Sequence, residues 1–468
     1  VHPSADRDPP TATPAAPLPS IFARAMRGSA FTAMGYAAGQ ALRLGSNLIL
    51  TRLLFPEAFG LMTLVTVFVV GLMMVSDVGI GPSIAQNRRG DDPEFLNTAW
   101  TIQVLRGALL WLATCLLALP AAAFYGAPEL AHLLPVAGLS LLIGGFNPTR
   151  IETANRHILL GRLTLLDLAA QAIGIIAMVA LALAFRSVWA LVIGGTIGAL
   201  AKLVLTSAFL PGARNRFRWE KAAARDLIGF GKWIFLSTIL GFVVQQGDKA
   251  ILGRALSLEA LGVYNIGFFL ASFPMLLGGT IIGRVVIPLY RETAHSDDPA
   301  QRRRLRRMRA GLSAILTALV AAMALGGVPL VGLLYDDRYA LAGSVVVGIA
   351  MVQMGQIAGA TYDQAALAAG DARGYFLLFT VRVVLQTGGF IAGLIGGGLG
   401  LALAGQAAGV LVSHGFIVLL ARRHNAWDPL HDAVALSAGL ALAALAGWIN
   451  SDALAALAQF GQAPLPGG

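Results

Sequence analysis

The chain has 468 residues, 57% of them hydrophobic and 12% charged, with a mean hydropathy of +0.72; a soluble domain carries about 25% charged residues, so this balance excludes one. A formal net charge of +10 would suit a nucleic-acid binder, but the basic residues are divided among short loops between apolar runs, so no nucleic-acid partner is expected. Cys115 is the only cysteine; an intrachain disulfide is excluded, and a small buried thiol is its expected role.

Residues 1–28 are expected to form a disordered cytoplasmic tail. The first twenty, VHPSADRDPPTATPAAPLPS, contain no apolar run that could bury surface, and the basic and apolar parts of a cleavable signal peptide are absent from them. About thirteen stretches of about 20 mostly apolar residues follow, each long enough to span a bilayer. The first six fall at about 30–54, 58–82, 97–119, 130–148, 163–185 and 188–210. Span two ends in DVGIGP, where Gly79, Gly81 and Pro82 loosen the helix. Spans five and six are joined by a turn at Arg186-Ser187.

The stretch PGARNRFRWEKAAARD is basic, carries Phe217 and Trp219, and is expected at the membrane surface. Span seven begins at about 227, and spans eight to twelve fall at about 260–289, 310–334, 340–362, 372–395 and 398–420, with Pro274 and Pro288 marking span eight for a kink. Between spans eight and nine, HSDDPAQRRRLRRMR reads as a cytoplasmic topology signal or an anionic-lipid patch. Span thirteen, at about 431–449, stands outside the pattern, and the rest of the chain is too short and too rich in Gly and Pro for a further crossing.

With the N-terminus cytoplasmic, 23 Arg and Lys fall in the tail and the loops on that side, and only Arg52, Arg186, Arg254 and Arg338 on the other. Basic residues gather on the cytoplasmic side of membrane proteins, so the expected topology is multi-pass with the N-terminus cytoplasmic.

One string returns. SNLILTRLLFPEAFGLM, Ser46 to Met62, recurs without gaps as DKAILGRALSLEALGVY, Asp248 to Tyr264. Ile49, Leu50, Arg52, Leu54, Glu57, Ala58 and Gly60 match Ile251, Leu252, Arg254, Leu256, Glu259, Ala260 and Gly262. An Arg, an acid-Ala pair and a Gly cannot recur through shared hydrophobicity, so the chain is a duplicated half-protein. The expected organisation is an N-terminal six-helix bundle (29–210), a basic cytoplasmic linker (211–226), a C-terminal six-helix bundle (227–421), and an extra helix and tail (422–468). Both copies fall at outer span ends, where Arg52 and Arg254 are expected to anchor the turn through Glu57 and Glu259 or through lipid phosphate.

Polar groups inside a bilayer cost a few kcal/mol each, so those in the spans should face a bundle interior or a wet cavity. In span one, Tyr36, Gln40, Arg43, Asn47 and Thr51 occupy one helical face, either lining a cavity or holding helices together. Through the repeat, Arg43 corresponds to Gln245 and Asn47 to Lys249, with Asp248 beside it. Adjacent residues point in different directions on a helix, so no mutual Asp248–Lys249 salt bridge is expected. Further sets are Asp167 with Gln171, Gln353 with Gln356 and Asp363, and Arg382 with Gln386. The candidate substrate cavity therefore comprises Gln40, Arg43, Asn47, Gln245, Lys249 and Arg382. Asp167, Asp363 and Asp248 are candidates for ion coupling; ion pairing with an Arg on a neighbouring helix competes for Asp167 and Asp363.

No metalloprotease, Walker or nucleophile-elbow motif and no Cys/His cluster occurs, so no catalytic residue, metal or cofactor is expected. Asp91-Asp92, Asp297-Asp298 and Asp336-Asp337 resemble the acidic metal-binding pairs of glycosyltransferases, but no soluble sugar-nucleotide domain exists to hold them.

TRLLFPEAFGLMTLV after span one, DVGIG at the end of span two, and DKAILGRALSLEALGVYNIG joining spans seven and eight carry a resemblance. The chain resembles the polysaccharide transporter family, the O-antigen and exopolysaccharide flippases of the multidrug/oligosaccharidyl-lipid/polysaccharide exporter superfamily. The resemblance covers about residues 28–425. It implies two pseudo-twofold-related six-helix bundles around a central cavity, here with one extra C-terminal helix, in an all-α integral membrane protein; the commoner form of the family has one span more. It also implies a lipid-linked oligosaccharide cargo on a polyprenyl diphosphate, with a polysaccharide polymerase and export machinery as partners. The expected function is export by alternating access, hinged about the linker. Two rivals are an ion-coupled drug or metabolite exporter, whose cavity should be apolar with one dominant carboxylate, and a membrane-embedded polymerase or glycosyltransferase, which should carry a large extra loop or domain.

Overall fold

The computed structural model describes residues 21–76, 79–157, 159–282, 286, 290, 299–458 and 460, and among them there are helices and no strands. The N-terminal half contains α1 (Ile21–Leu53), α2 (Pro56–Val75), α3 (Ile80–Gln86), α4 (Pro93–Tyr125), α5 (Leu130–Gly145), α6 (Arg150–Arg156), α7 (Leu160–Phe185) and α8 (Trp189–Phe209). The C-terminal half contains α9 (Lys221–Ala255), α10 (Leu258–Ile281), α11 (Pro299–Leu334), α12 (Ala342–Ala360), α13 (Asp363–Ala368), α14 (Ala372–Gly397) and α15 (Leu399–Arg423). Two further helices, α16 (Pro429–Ile449) and α17 (Ser451–Ala458), close the chain.

Local sequence explains the helix ends. Pro56 and Pro93 open α2 and α4, where a missing N–H costs nothing. Asp92 and Ser257 accept hydrogen bonds from Glu94 N and Ala260 N as N-caps. Gly126, at φ 65°, ends α4, and Arg186 ends α7 at φ 46°, the turn expected there. α1 begins at Ile21, so residues 21–28, expected in the tail, are helical.

Among the described residues ten helices are long and apolar enough to cross a membrane, or eleven when α5 and α6, bent by 59° at Asn147-Pro148, count as one span. Thirteen were expected. α1 and α9, at 33 and 35 residues, are long enough but not among the ten. α1 falls short on apolarity because it carries Tyr36, Gln40, Arg43 and Asn47; for α9, the side chains of 228–237 lie outside the description. Pro288, Asp77 and the whole segment 291–298 also lie outside the described residues.

The repeat motif is where the halves touch. α2 packs along α10, and their first turns cross so closely that a Cβ on Gly60 would collide with the Leu258 carbonyl, and one on Gly262 with the Pro56 carbonyl. Pro56 and Leu258 are themselves equivalent in the repeat, so the contact is isologous, as at a twofold axis. Around it lie Leu50, Leu54, Phe59 and Leu64 from one half and Leu252, Leu261 and Tyr264 from the other, joined by Tyr339 in the turn before α12. Each fully buried large side chain in such a cluster contributes about 1.5–3 kcal/mol.

Arg52 and Arg254 are both exposed, and among the described residues neither pairs with Glu57 or Glu259. The arginine that secures this end is Arg338, which donates to the Leu54 and Thr51 carbonyls at 3.3 and 2.9 Å and pairs with Asp336. It thereby satisfies the last carbonyls of α1, where a cation is also favoured by the helix dipole.

At the opposite, arginine-rich end the segment joining the halves is strapped to the first. Arg216 N, Arg218 N and Glu220 N donate to Asn97 Oδ1, Thr101 Oγ1 and Thr98 Oγ1 on α4, at 2.9–3.1 Å. Asn215 and Thr149 exchange two hydrogen bonds, and Arg150 donates to the Ala213 and Leu210 carbonyls. Arg89 grips Glu220 with both terminal nitrogens at 2.8 Å and also pairs with Asp92. α9 starts at Lys221, and its Ala223 and Leu227 are buried against Ile80, Ile84, Phe95 and Ala99. The segment 211–220 is therefore strapped along the first half's surface.

Candidate functional site

A cavity of about 940 Å³ lies between the halves. α1 contributes Arg43, Ser46 and Asn47, and α9 contributes Gln245, Gln246 and Lys249. The helical spacing of 4 between Arg43 and Asn47, and between Gln245 and Lys249, turns both pairs to one side. α2 and α10 supply Thr63, Thr66, Asn265 and Phe268, while Gly174 on α7 and Gly194 and Gly198 on α8, where the two helices pack closely, line the remaining wall. Four of the six expected cavity residues thus meet in one space.

The other two do not line it. Gln40 is buried and donates to Tyr36 Oη at 2.9 Å within α1. Arg382 on α14 borders neither this cavity nor the smaller one described below.

The two cations differ. Arg43 has no hydrogen-bond or ion-pair partner among the described residues and is open to the cavity; its guanidinium stays charged at any accessible pH. Lys249 is 6% exposed. Its ammonium stands 3.4 Å from the Phe268 ring centroid, 3.4 Å from Asp248 Oδ1 and 3.4 Å from the Gln245 carbonyl. The expectation of no Asp248–Lys249 pairing is therefore wrong. The backbone does send the two residues to different cavities, but four methylenes let the lysine head curl back to its neighbour.

Asp248 faces a second cavity, of about 190 Å³, within the C-terminal half. Its carboxylate accepts a 2.7 Å hydrogen bond from Tyr264 Oη. Around it stand Gln353 and Gln356 on α12, Gln386 and Thr387 on α14 and Gln406 on α15. Asp167, the second ion-coupling candidate, pairs with Lys202 on α8 at 2.9 Å, a lysine where an arginine was expected. The side chain of Asp363 lies outside the description.

The pair Asp91-Asp92 is held by basic side chains, and Asp336 by Arg338, while Asp297-Asp298 lie outside the described residues. Asp91 faces Arg156 and His157, and Asp92 faces Arg89. The His157 and Arg89 hydrogen bonds hold these carboxylates below their usual range, and Arg89 does the same to Glu220. Among the described residues no cluster of His, Cys, Asp and Glu could hold a metal ion.

Sequence reasoning missed a polar cluster at the arginine-rich end of the C-terminal half. Arg309, expected in a loop, is 3% exposed on α11, donates to Tyr290 Oη and the Ala426 carbonyl, and lies 4.5 Å over the Tyr362 ring. His431 bridges Tyr362 Oη and Ser313 Oγ, and His414 pairs with Asp432 at 2.9 Å. A histidine within an apolar run, as His414 is, was the one signal available.

A family model described as "Polysaccharide biosynthesis protein" matches residues 49–343. The succinoglycan biosynthesis transport protein ExoT of Rhizobium meliloti (strain 1021) is 24% identical over 75% of this chain and 70% of its own length. The lipopolysaccharide biosynthesis protein WzxC of Escherichia coli (strain K12) is 22% identical over 58% of this chain, and the teichuronic acid biosynthesis protein TuaB of Bacillus subtilis (strain 168) 21% identical over 48%. The chain spans about half the length of these two relatives, 55% and 46%. In fold it is similar to the lipid II flippase MurJ in an inward closed conformation (TM-score 0.65, 11% identity, 90% of this chain and 99% of that one). It is similar also to an inward-facing multidrug resistance MATE family transporter of the MOP superfamily (TM-score 0.63, 16% identity, 83% and 95%).

Proposed function

The chain belongs to the polysaccharide biosynthesis protein family, and from that premise we propose that it is a flippase that moves polyprenyl-diphosphate-linked oligosaccharide units across the bacterial inner membrane, for exopolysaccharide or lipopolysaccharide assembly. The observation that carries this is the cavity between the halves, about 940 Å³, where the Arg43 guanidinium, which has no partner among the described residues, and the Lys249 ammonium stand among amides and hydroxyls. A diphosphate is a compact dianion, and a guanidinium binds such oxygens with two parallel hydrogen bonds. Asn47, Gln245 and Gln246 suit the first sugars.

The basic end is cytoplasmic on this reading, with the N-terminus on the same side. The repeat contact at Gly60 and Gly262 then seals the outer side, so the cavity is charged from the cytoplasmic leaflet, and transport requires that contact to open. A parallel repeat with the site at the interface is a known basis for alternating access. Coupling to a proton or sodium ion through Asp167 would work by exchange with Lys202. A polysaccharide polymerase is the natural consumer of the flipped unit.

A strain deleted for the gene should accumulate lipid-linked repeat units on the cytoplasmic side and lose the polymer, and the wild-type gene, but not Arg43→Ala at equal protein level, should restore it. Normal polymer export without accumulation in the deletion strain would overturn the proposal.

A further inference from the structure

The 190 Å³ cavity of the C-terminal half is not explained by a diphosphate site. It is well below the roughly 300–1,000 Å³ that accommodates a drug-sized ligand, which restricts any occupant to about one ring. Beside the Asp248 carboxylate and the Tyr264 hydroxyl, its polar lining consists of amides and hydroxyls from four helices: Ser272 on α10, Gln353 and Gln356 on α12, Gln386 and Thr387 on α14, and Gln406 on α15. The glutamines are placed by pattern, since Gln353 and Gln356 are one turn apart, and Gln386 shares a face with Phe390 four residues on.

Three observations select the chemistry. Gln353 is 8% exposed, and its Oε1 has no hydrogen-bond partner among the described residues, an arrangement that disfavours an empty site. Gln356, Gln386 and Gln406 likewise make no hydrogen bond to another described residue. An amide offers both donors and acceptors, which is what vicinal hydroxyls require. Second, the one carboxylate, Asp248, is already matched by Lys249 and by the Tyr264 hydroxyl. A cation would have to displace an ammonium, and an apolar ligand would strand the amides. Third, Val244, Phe268, Ser272 and Gln353 border both cavities. A ring in the smaller one can therefore remain bonded to a diphosphate beside Arg43.

We propose that this cavity is a pyranose subsite, in which Gln353, Gln356, Gln386 and Gln406 bind the hydroxyls of one neutral sugar of the lipid-linked cargo against the Phe390 ring. The inference rests on the flippase reading and adds to it a place where sugar identity is read. A site built to hydrogen-bond hydroxyls discriminates strongly against a ligand that lacks them.

The test uses the full chain in nanodiscs, with polyprenyl diphosphate as one probe and polyprenyl diphosphate carrying a single glucose or galactose as the other. The wild type should bind a sugar-bearing probe about tenfold more tightly than the bare one, a difference of about 1.4 kcal/mol. Gln386→Leu and Gln406→Leu should each bring that ratio to about one, while the affinity for the bare probe shows that the larger cavity is intact. Equal wild-type affinity for bare and sugar-bearing probes, or a ratio that survives both substitutions, would overturn the subsite and leave the flippase reading standing. Failure of the wild type to bind any of the probes would overturn the flippase reading, and the subsite with it.

Discussion

Arg43 and Gln245, Asn47 and Lys249, Thr63 and Asn265, and Thr66 and Phe268 are pairs of positions 202 residues apart, and all eight residues line one cavity. Each pair carries different chemistry. The pair Gly60 and Gly262 has the same offset and is identical, because each glycine admits the other half's carbonyl. Where the contact leaves no room for a Cβ, the two copies have both kept glycine; at these four cavity pairs they have diverged. The divergence extends to the smaller cavity, since Ser46 and Met62 stand at the positions of Asp248 and Tyr264.

The strongest test of that division is to place a side chain at the shared contact. Gly60→Val and Gly262→Val should each destabilise the purified protein by about 3 kcal/mol, read as a lowered melting temperature, because the obstacle is backbone and cannot turn aside. The two losses should agree within about 1 kcal/mol; a larger gap would break the reciprocity of the contact.

Making the cavity walls alike should have the next largest effect. Arg43→Gln puts an amide on both sides and should lower transport about thirtyfold, equivalent to about 2 kcal/mol of a charge-assisted contact. Arg43→Lys should recover part of it, and Gln245→Ala should cost only a few-fold. Equal losses at positions 43 and 245 would mean that the cargo does not distinguish the halves.

Tyr264→Phe removes one donor from Asp248 and should destabilise by about 1 kcal/mol. Met62→Leu, at the equivalent position, should stay within about 0.5 kcal/mol. The smallest effect is expected at the strap. Glu220→Gln should speed proteolysis within 211–220 at neutral pH. Because Arg89 holds Glu220 and Asp92 below their usual range, the stabilisation is complete above the ordinary carboxylate range, about pH 4, and is lost as pH falls through the lowered values. Wild type and variant should converge in acid.

Much of this was visible in the residues themselves. Hydropathy runs placed nearly every helix, and the 3.6 period together with the repeat put Arg43, Asn47, Gln245 and Lys249 in one cavity. What escaped were contacts with no local signature. Arg338 reaches α1 from nearly three hundred residues away, so it read as a loop charge. Phe268 beneath Lys249 looked like one more apolar residue in a span. Thr98 and Thr101 receive the linker through hydroxyls that read as ordinary helix positions. The Asp248–Lys249 contact was misjudged because directions along a helix describe Cβ vectors, not the ends of long flexible side chains.

The strap on α4 also changes where motion can be stored. α9 is anchored to the first half through Ala223 and Leu227 and delivers Gln245 and Lys249 to the cavity wall about 27 Å further along its axis. Its start is clamped on the first half, and further along Asp248 and Lys249 meet Tyr264 and Phe268 of the second. Any rocking of the halves must be absorbed as curvature of that rod, between 228 and 244, where the chain carries Gly229, Gly231 and Gly241 and a helix bends most cheaply. Replacing these glycines with alanine would stiffen the rod and slow the cycle while leaving every cargo-facing group in place.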